Sequence, residues 1–189
     1  MIVDAQPGEV RRVAALLGEA FAPTPQSRWI APDDTDRTHL LATLFAPLIR
    51  HAVTYGTVGV ILDHRQRMCA AAVWLPSDVP GLAELPEWGR RTERWAKFLS
   101  ALDAHHPTVP HQHLVLMGVD PSRQGLGIGT RLLEHYHRDL HRPAYLEAET
   151  PRLVALYRRY DYQPGQAFTM PSDLPMWPMW RPARRADPG

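Results

Sequence analysis

The sequence has one cysteine, no apolar run long enough to cross a bilayer and no surplus of either charge, and each shortage removes a class of protein. Cys69 can form no internal disulfide, which predicts a chain suited to a reducing compartment. It lies in Met68-Cys69-Ala70-Ala71-Ala72-Val73-Trp74-Leu75, where a cysteine serves as a small core residue rather than a nucleophile. A spanning helix needs about 18 or more consecutive apolar residues, and none occurs. Met1-Ile2-Val3-Asp4 also lacks the basic and then apolar regions of a secretory signal, so a cytoplasmic protein with no membrane partner is predicted. With 21 Lys and Arg against 20 Asp and Glu, the formal charge is +1. Duplex DNA and anionic membranes call for a basic surplus, so no nucleic-acid partner is predicted. No internal repeat or dividing linker appears, and the 189 residues fit one domain over 1–182, with 183–189 as a frayed tail.

The most informative stretch that is present runs from His113 to Leu140. Leu114 to Val119 is short and rich in β-formers, and it ends at Asp120-Pro121, where proline stops the ladder, so it predicts a buried strand. Ile128, Leu132, Leu133, Tyr136 and Leu140 recur at helical spacing and form one apolar stripe. Between strand and helix lies Arg123-Gln124-Gly125-Leu126-Gly127-Ile128-Gly129. Its alternating glycines let backbone approach a ligand, and the first-turn N–H groups of the helix that follows are unpaired donors suited to phosphate. Neither a Gly-Lys-Ser/Thr ending nor a Gly-x-Gly-x-x-Gly spacing is present, which removes the nucleotide-triphosphate and dinucleotide loops. The spacing that remains is Gln124-x-x-Gly127-x-Gly129.

That spacing, after a strand and opening a helix, resembles the acyl-coenzyme A motif of the GCN5-related N-acetyltransferases (GNAT). Gly118-Val119-Asp120-Pro121 resembles the family's strand end, Pro143 to Glu149 its next strand, and Ala155 to Tyr160 the helix carrying its tyrosine. Ala20-Phe21, Arg28, Ala70 to Trp74, His106-Pro107 and Pro151-Arg152 ahead of Tyr157 resemble the layout of puromycin N-acetyltransferase-like members. The resemblance implies an α/β (α+β) fold, with a mixed, largely antiparallel twisted sheet of six to seven strands flanked by helices. It departs from the family at Leu153, where many members have an asparagine, and at Asp161-Tyr162, where Gly-Phe is usual.

The rest of the chain reads as an ordinary succession of elements. Ile2-Val3 starts a strand, and Val10, Val13, Ala14, Leu17 and Phe21 make one helical face. Three prolines between Ala22 and Pro32 predict an ordered loop or short turns. There Trp29 either covers the core or, with Arg28, walls an acceptor pocket. Asp33, Asp34 and Asp36 suit the start of a helix reaching about Ala52, with His39 in solvent. Thr57 to Leu62 and Met68 to Leu75 predict a hairpin, and a helix is predicted from Glu87 to His105. Two further β segments fall at Gln166 to Met170 and Met176 to Trp180.

His111 and His113 would share a strand face, and His137 and His141 sit four apart, but no Cys or acidic residue completes a zinc set, so no metal is predicted. His113 is a candidate base beside the substrate. As the resemblance implies, the cofactor is acetyl-CoA as cosubstrate. The backbone amides around Leu126, Gly127, Ile128, Gly129 and Thr130 would hold its pyrophosphate, Met117, Gly118 and Val119 its pantetheine arm, and Arg123, Gln124 and Gly125 are further cofactor-binding candidates. Tyr157 would protonate the departing thiolate, where without the loop it would read as a core aromatic. Glu147, at a frequently acidic family position, would be the general base, with pairing to Arg152 or a backbone amide as the rival reading; Glu149 and Tyr145 share its strand face. The implied reaction is acetyl transfer to a primary amine of a small molecule such as an antibiotic or secondary metabolite, by a monomer or homodimer. A coenzyme-binding module without turnover and an acetyltransferase acting on protein or peptide amines are the alternatives.

Overall fold

The computed structural model describes residues 1–79 and 93–183. Its strands are Ile2–Asp4 (β1), Thr57–Leu62 (β2), Met68–Pro76 (β3), Gln112–Val119 (β4), Ala144–Ala148 (β5), Gln163–Pro164 (β6), Phe168–Thr169 (β7) and Pro175–Arg181 (β8). Its helices are Val10–Phe21 (α1), Pro25–Ile30 (α2), Arg37–Tyr55 (α3), Glu93–Asp103 (α4), Ile128–Arg138 (α5) and Pro151–Arg158 (α6). The sheet runs β1-β2-β3-β4-β5-β8-β6, with β7 also on β8, and every junction but β4–β5 is antiparallel. The described strands number eight rather than six or seven. The extra piece is β6, two residues long and too short to carry an alternation, while the segment expected at Gln166 to Met170 forms only the two residues of β7.

The unbroken apolar run of β3 has a physical cause, since Cys69 to Leu75 is buried on both sides. One face meets Leu17, Leu41, Phe45 and Leu48 of α1 and α3; the other meets Leu132, Leu133 and Tyr157 of α5 and α6. Leu17 and Leu41 are 0% exposed, and burying a side chain of that size contributes roughly 1.5–3 kcal/mol. At Gly118 an added Cβ would lie 2.8 Å from Ala20 Cβ and 2.9 Å from Leu17 Cδ2, so glycine is what lets α1 settle on β4.

Two expectations change in shape. The proline-broken segment contains a helix, α2, because Pro25 sits at its first position and the Thr24 hydroxyl caps the Ser27 N–H. There proline's fixed φ starts a helix instead of breaking one. The helix α3 continues to Tyr55, beyond Ala52, and ends at Gly56. Buried Arg37 fixes the α2–α3 corner, its guanidinium donating to the carbonyls of Ala31 and Pro32 and pairing with Asp34. Of the helix expected over Glu87 to His105, the part before Glu93 lies outside the described residues, as does the tail from Arg184.

The decisive feature for function is the single parallel junction. β4 and β5 pair only at Gln112↔Ala144 and His113↔Tyr145. Beyond those pairs the strands part, leaving the β5-facing backbone of Leu114 to Val119 without a strand partner. A wedge opens there, floored by the sheet and closed at one end by the start of α5.

Candidate active site

The loop that enters α5 is shaped by backbone demands. Gly125 and Gly127 have φ of 80° and 72°, in the left-handed region that a side chain disfavours by roughly 1–2 kcal/mol. A Cβ at either would meet nothing within 4 Å, so the side facing away from the protein is open. Gly127 is the N-cap of α5, which leaves the N–H groups that follow without intrahelical partners. Two side chains of the loop are already engaged. Arg123 donates to Asp63 at 2.8 Å and lies 3.6 Å from Asp120, while Gln124 Nε2 donates to the Val119 carbonyl at 3.2 Å. Asp63 also accepts the backbone N–H groups of Arg65 and Arg67 and the Arg67 side chain. The Arg67 backbone donation, more than the opposing burial, holds its carboxyl far below the ordinary range. Asp63 is thus a fixed anion bracing the loop from the β2–β3 turn.

A cavity of about 1210 Å³ occupies the wedge. Met117, Gly118, Val119, Arg123, Gln124, Gly125, Gly127, Ile128, Gly129 and Thr130 all line it; Leu126 does not and is 71% exposed. The open glycine cradle, the free first-turn donors and the unpaired edge of β4 fit a pyrophosphate joined to an amide-bearing arm. Leu153 lines the same cavity and brings no polar group there.

His113, Glu147 and Tyr157 line it as well. His113 leaves β4 and Glu147 leaves β5 close to where the strands begin to part, which places their side chains together. His113 Nε2 lies 2.9 Å from Glu147 Oε2, and His113 Nδ1 lies 3.2 Å from His106 Nε2. His106 Nδ1 is 3.2 Å from the Pro107 carbonyl, which can only accept, so that nitrogen carries a hydrogen. Burial, and then the charge of His113, press the His106 pKa below its ordinary value. A neutral His106 therefore accepts from His113 Nδ1–H, and one proton is shared between His113 Nε2 and Glu147 Oε2. Burial alone would raise the Glu147 pKa, yet the His113 charge and hydrogen bond hold it below the ordinary value. Glu147 Oε1 is buried and makes no hydrogen bond of good geometry, and the equally buried Tyr145 hydroxyl interacts with the carboxyl and helps to hold its pKa down.

Glu149 lies just past the end of β5 and lines the cavity beside these groups. Burial raises its pKa to about 7, and a hydrogen bond from Thr24 opposes the shift. Burial and then the charge of Glu149 push Tyr157 well above the ordinary phenol value, so its hydroxyl keeps its proton. Of the other two residues named from sequence, Arg28 is exposed, and Trp29 packs under the Arg94 guanidinium at 5.6 Å and accepts from it through its carbonyl. Neither lines the cavity; their helix neighbours Gln26, Ser27 and Ile30 do. His106 was not singled out by spacing, because it lies on a loop seven residues from its partner; His106-Pro107 marked only an approach. Among the described residues no group of three His, Cys, Asp or Glu is placed to hold a metal ion.

Comparison with known proteins places this geometry. Residues 93–164 match the model of an acetyltransferase (GNAT) domain, the segment that contains the loop, the wedge, Glu147 and Tyr157. A histone acetyltransferase HPA2 and related acetyltransferase structure from Corynebacterium glutamicum superposes with a TM-score of 0.76 at 27% identity, covering 99% of this chain and 98% of that one. A polyamine N-acetyltransferase from Drosophila melanogaster, which forms N-acetylagmatine, superposes at 0.68 with 22% identity over 95% and 98% of the two chains. An agmatine N-acetyltransferase mutant gives 0.65 at 22% identity over 95% and 97%. The latter two likenesses are in fold.

Proposed function

The chain carries a GNAT acetyltransferase domain, and from that premise we propose that it transfers the acetyl group of acetyl-CoA to a primary amine of a small molecule. The observation that carries this reading is the convergence, in one cavity, of the glycine cradle with Tyr157 and the Glu147–His113–His106 chain. Bound in the cradle, acetyl-CoA supplies an acetyl carbon activated by its thioester. The unpaired β4 edge and the α5 amides hold the coenzyme so that amine and carbonyl meet in one orientation, which alone lowers the barrier substantially.

An amine reaches the cavity mainly as its ammonium and must lose a proton. Glu147 Oε1, the oxygen not held by His113, is the acceptor; as it takes the proton, the His113 Nδ1 hydrogen shifts to His106 Nε2. The positive charge thereby emerges on His106, whose lowered pKa favours release to solvent. The carbon–nitrogen bond forms as the carbon–sulfur bond breaks, and Tyr157 gives its hydroxyl proton to the departing sulfur. The acylated nitrogen then sheds its second proton to solvent and Tyr157 recovers one from there, so that of the two protons lost by the ammonium one ends in solvent and one on the thiol.

Incubation of the purified protein with acetyl-CoA and a panel of primary amines, followed by thiol release, tests the reading. The expected result is amine-dependent thiol release that falls about 100-fold or more in Tyr157→Phe, with the KM for acetyl-CoA little changed. Tight binding of acetyl-CoA with no transfer to any amine would instead make this a coenzyme-binding module, to which Leu153 lends some room. Unchanged turnover of Tyr157→Phe at every pH would remove the assigned acid.

A further inference from the structure

Beyond the base and the acid, the cavity extends along α4. Trp95, Phe98, Leu99 and Leu102 recur at intervals of three and four, so they form one stripe on that helix, and all four line the cavity. Phe45 and Leu48 of α3 line it too, with Phe45 against Trp95. The rings are ordered into a wall: Phe45 and Trp95 centroids stand 6.2 Å apart, and Trp95 and Phe98 are stacked at 5.6 Å. The stripe starts beside the proton chain, because His106 follows α4 by three residues. From Leu102 back to Trp95 it rises about 10 Å at about 1.5 Å per residue. That is enough for a phenyl ring and a two-carbon linker.

Charge on this wall is as informative as shape. The carboxylates lining the cavity among the described residues are Asp103, Glu147 and Glu149. Glu147 already shares a proton with His113, Glu149 is next to Tyr157 at the acetyl end, and Asp103 is exposed at the C-terminal end of α4. Asp103, four residues after Leu99, continues the stripe only at its end beside His106, and among the described residues no carboxylate lines the cavity toward Trp95. One ammonium therefore finds an acceptor at Glu147, while a second ammonium carried outward along α4 would be desolvated against Trp95 and Phe98 with no carboxylate partner among the described residues.

We infer that the acceptor is a monoamine with an aromatic or bulky apolar body, its nitrogen at Glu147 and its body along Trp95, Phe98 and Leu99, rather than a di- or polyamine. This rests on the acetyltransferase reading above and narrows its substrate class. The test compares kcat/KM at saturating acetyl-CoA for 2-phenylethylamine and 1,5-diaminopentane, in the wild type and in Leu99→Glu. Leu99 is only partly buried, and thermal melting and the KM for acetyl-CoA verify the fold; Leu102→Glu is a second variant at the same wall. The expected result is at least about a tenfold preference for 2-phenylethylamine in the wild type, in line with what one apolar contact surface discriminates. Either variant should shift that ratio at least about tenfold toward the diamine. Preference for the diamine, or a ratio unmoved in both folded variants, overturns this inference and leaves the acetyltransferase reading standing. Transfer to neither amine nor to any other primary amine, with acetyl-CoA bound, overturns that reading and this one together.

Discussion

The contact between His113 and Glu147 offers the sharpest test of the mechanism. Glu147→Gln keeps the side-chain shape and removes the negative charge opposite His113 Nε2, 2.9 Å away. A hydrogen bond to a charged group contributes about 1.5–3 kcal/mol, and each 1.36 kcal/mol is tenfold in rate. Losing that orientation alone therefore lowers kcat about 10- to 150-fold. Losing the proton acceptor as well puts the total in the 10²–10⁴-fold range of general base catalysis. Because Glu147, His113 and His106 act as one chain, His113→Gln should produce a similar loss, and the double variant should be little worse than either single one. The assay is single-turnover acetyl transfer with coenzyme binding measured separately, so that chemistry is read apart from affinity. Losses that multiply in the double variant, or a Glu147→Gln enzyme within twofold of wild type, would refute the chain. A second readout comes from stability. The Glu147 pKa is depressed in the folded protein, so its contribution is present above the unfolded value of about 4.5. It is lost as pH falls through the folded value, and Glu147→Gln should flatten that acid limb of the melting temperature.

Two further predictions follow from charged groups around the cavity. Glu149 has the opposite sign: its pKa rises from 4.5 to about 7, so folding stability should drop by roughly 3 kcal/mol as pH climbs from about 4.5 to 7 without coenzyme, and Glu149→Gln should abolish the slope in a pH series of urea melts. The Asp63–Arg123 contact at 2.8 Å braces the coenzyme loop from the hairpin turn. Asp63→Asn should raise the KM for acetyl-CoA severalfold while leaving the amine KM and kcat near wild type; an effect on the amine alone would show that the brace does not act through the loop.

Legibility in the sequence followed the range of the interactions. The loop and the helix after it were plain because left-handed glycines and an i, i+3, i+4 apolar stripe are demands of local backbone and of a single face. The hairpin was plain for the same reason, its two runs being separated by five residues that turn around Asp63. Arg28 and Trp29 were named from chain order, but which side of a six-residue helix faces the cavity depends on packing against α3 and α4, and Gln26, Ser27 and Ile30 face it instead. That Arg123 is held by Asp63, sixty residues away, was not readable from the sequence, because the contact is made only when the β2–β3 turn meets the loop.

By itself the sequence determined a strand, a glycine cradle and a helix start in that order, since each is set by φ preference, proline and side-chain period within a few residues. It also placed a tyrosine and a carboxylate downstream. The tertiary structure alone decided that β4 and β5 pair for two residues and then part, because where a parallel junction ends depends on what packs between the strands. That parting brings His106, His113 and Glu147 into one proton path. It also sets the aromatic stripe of α4 along the same cavity as the glycine loop.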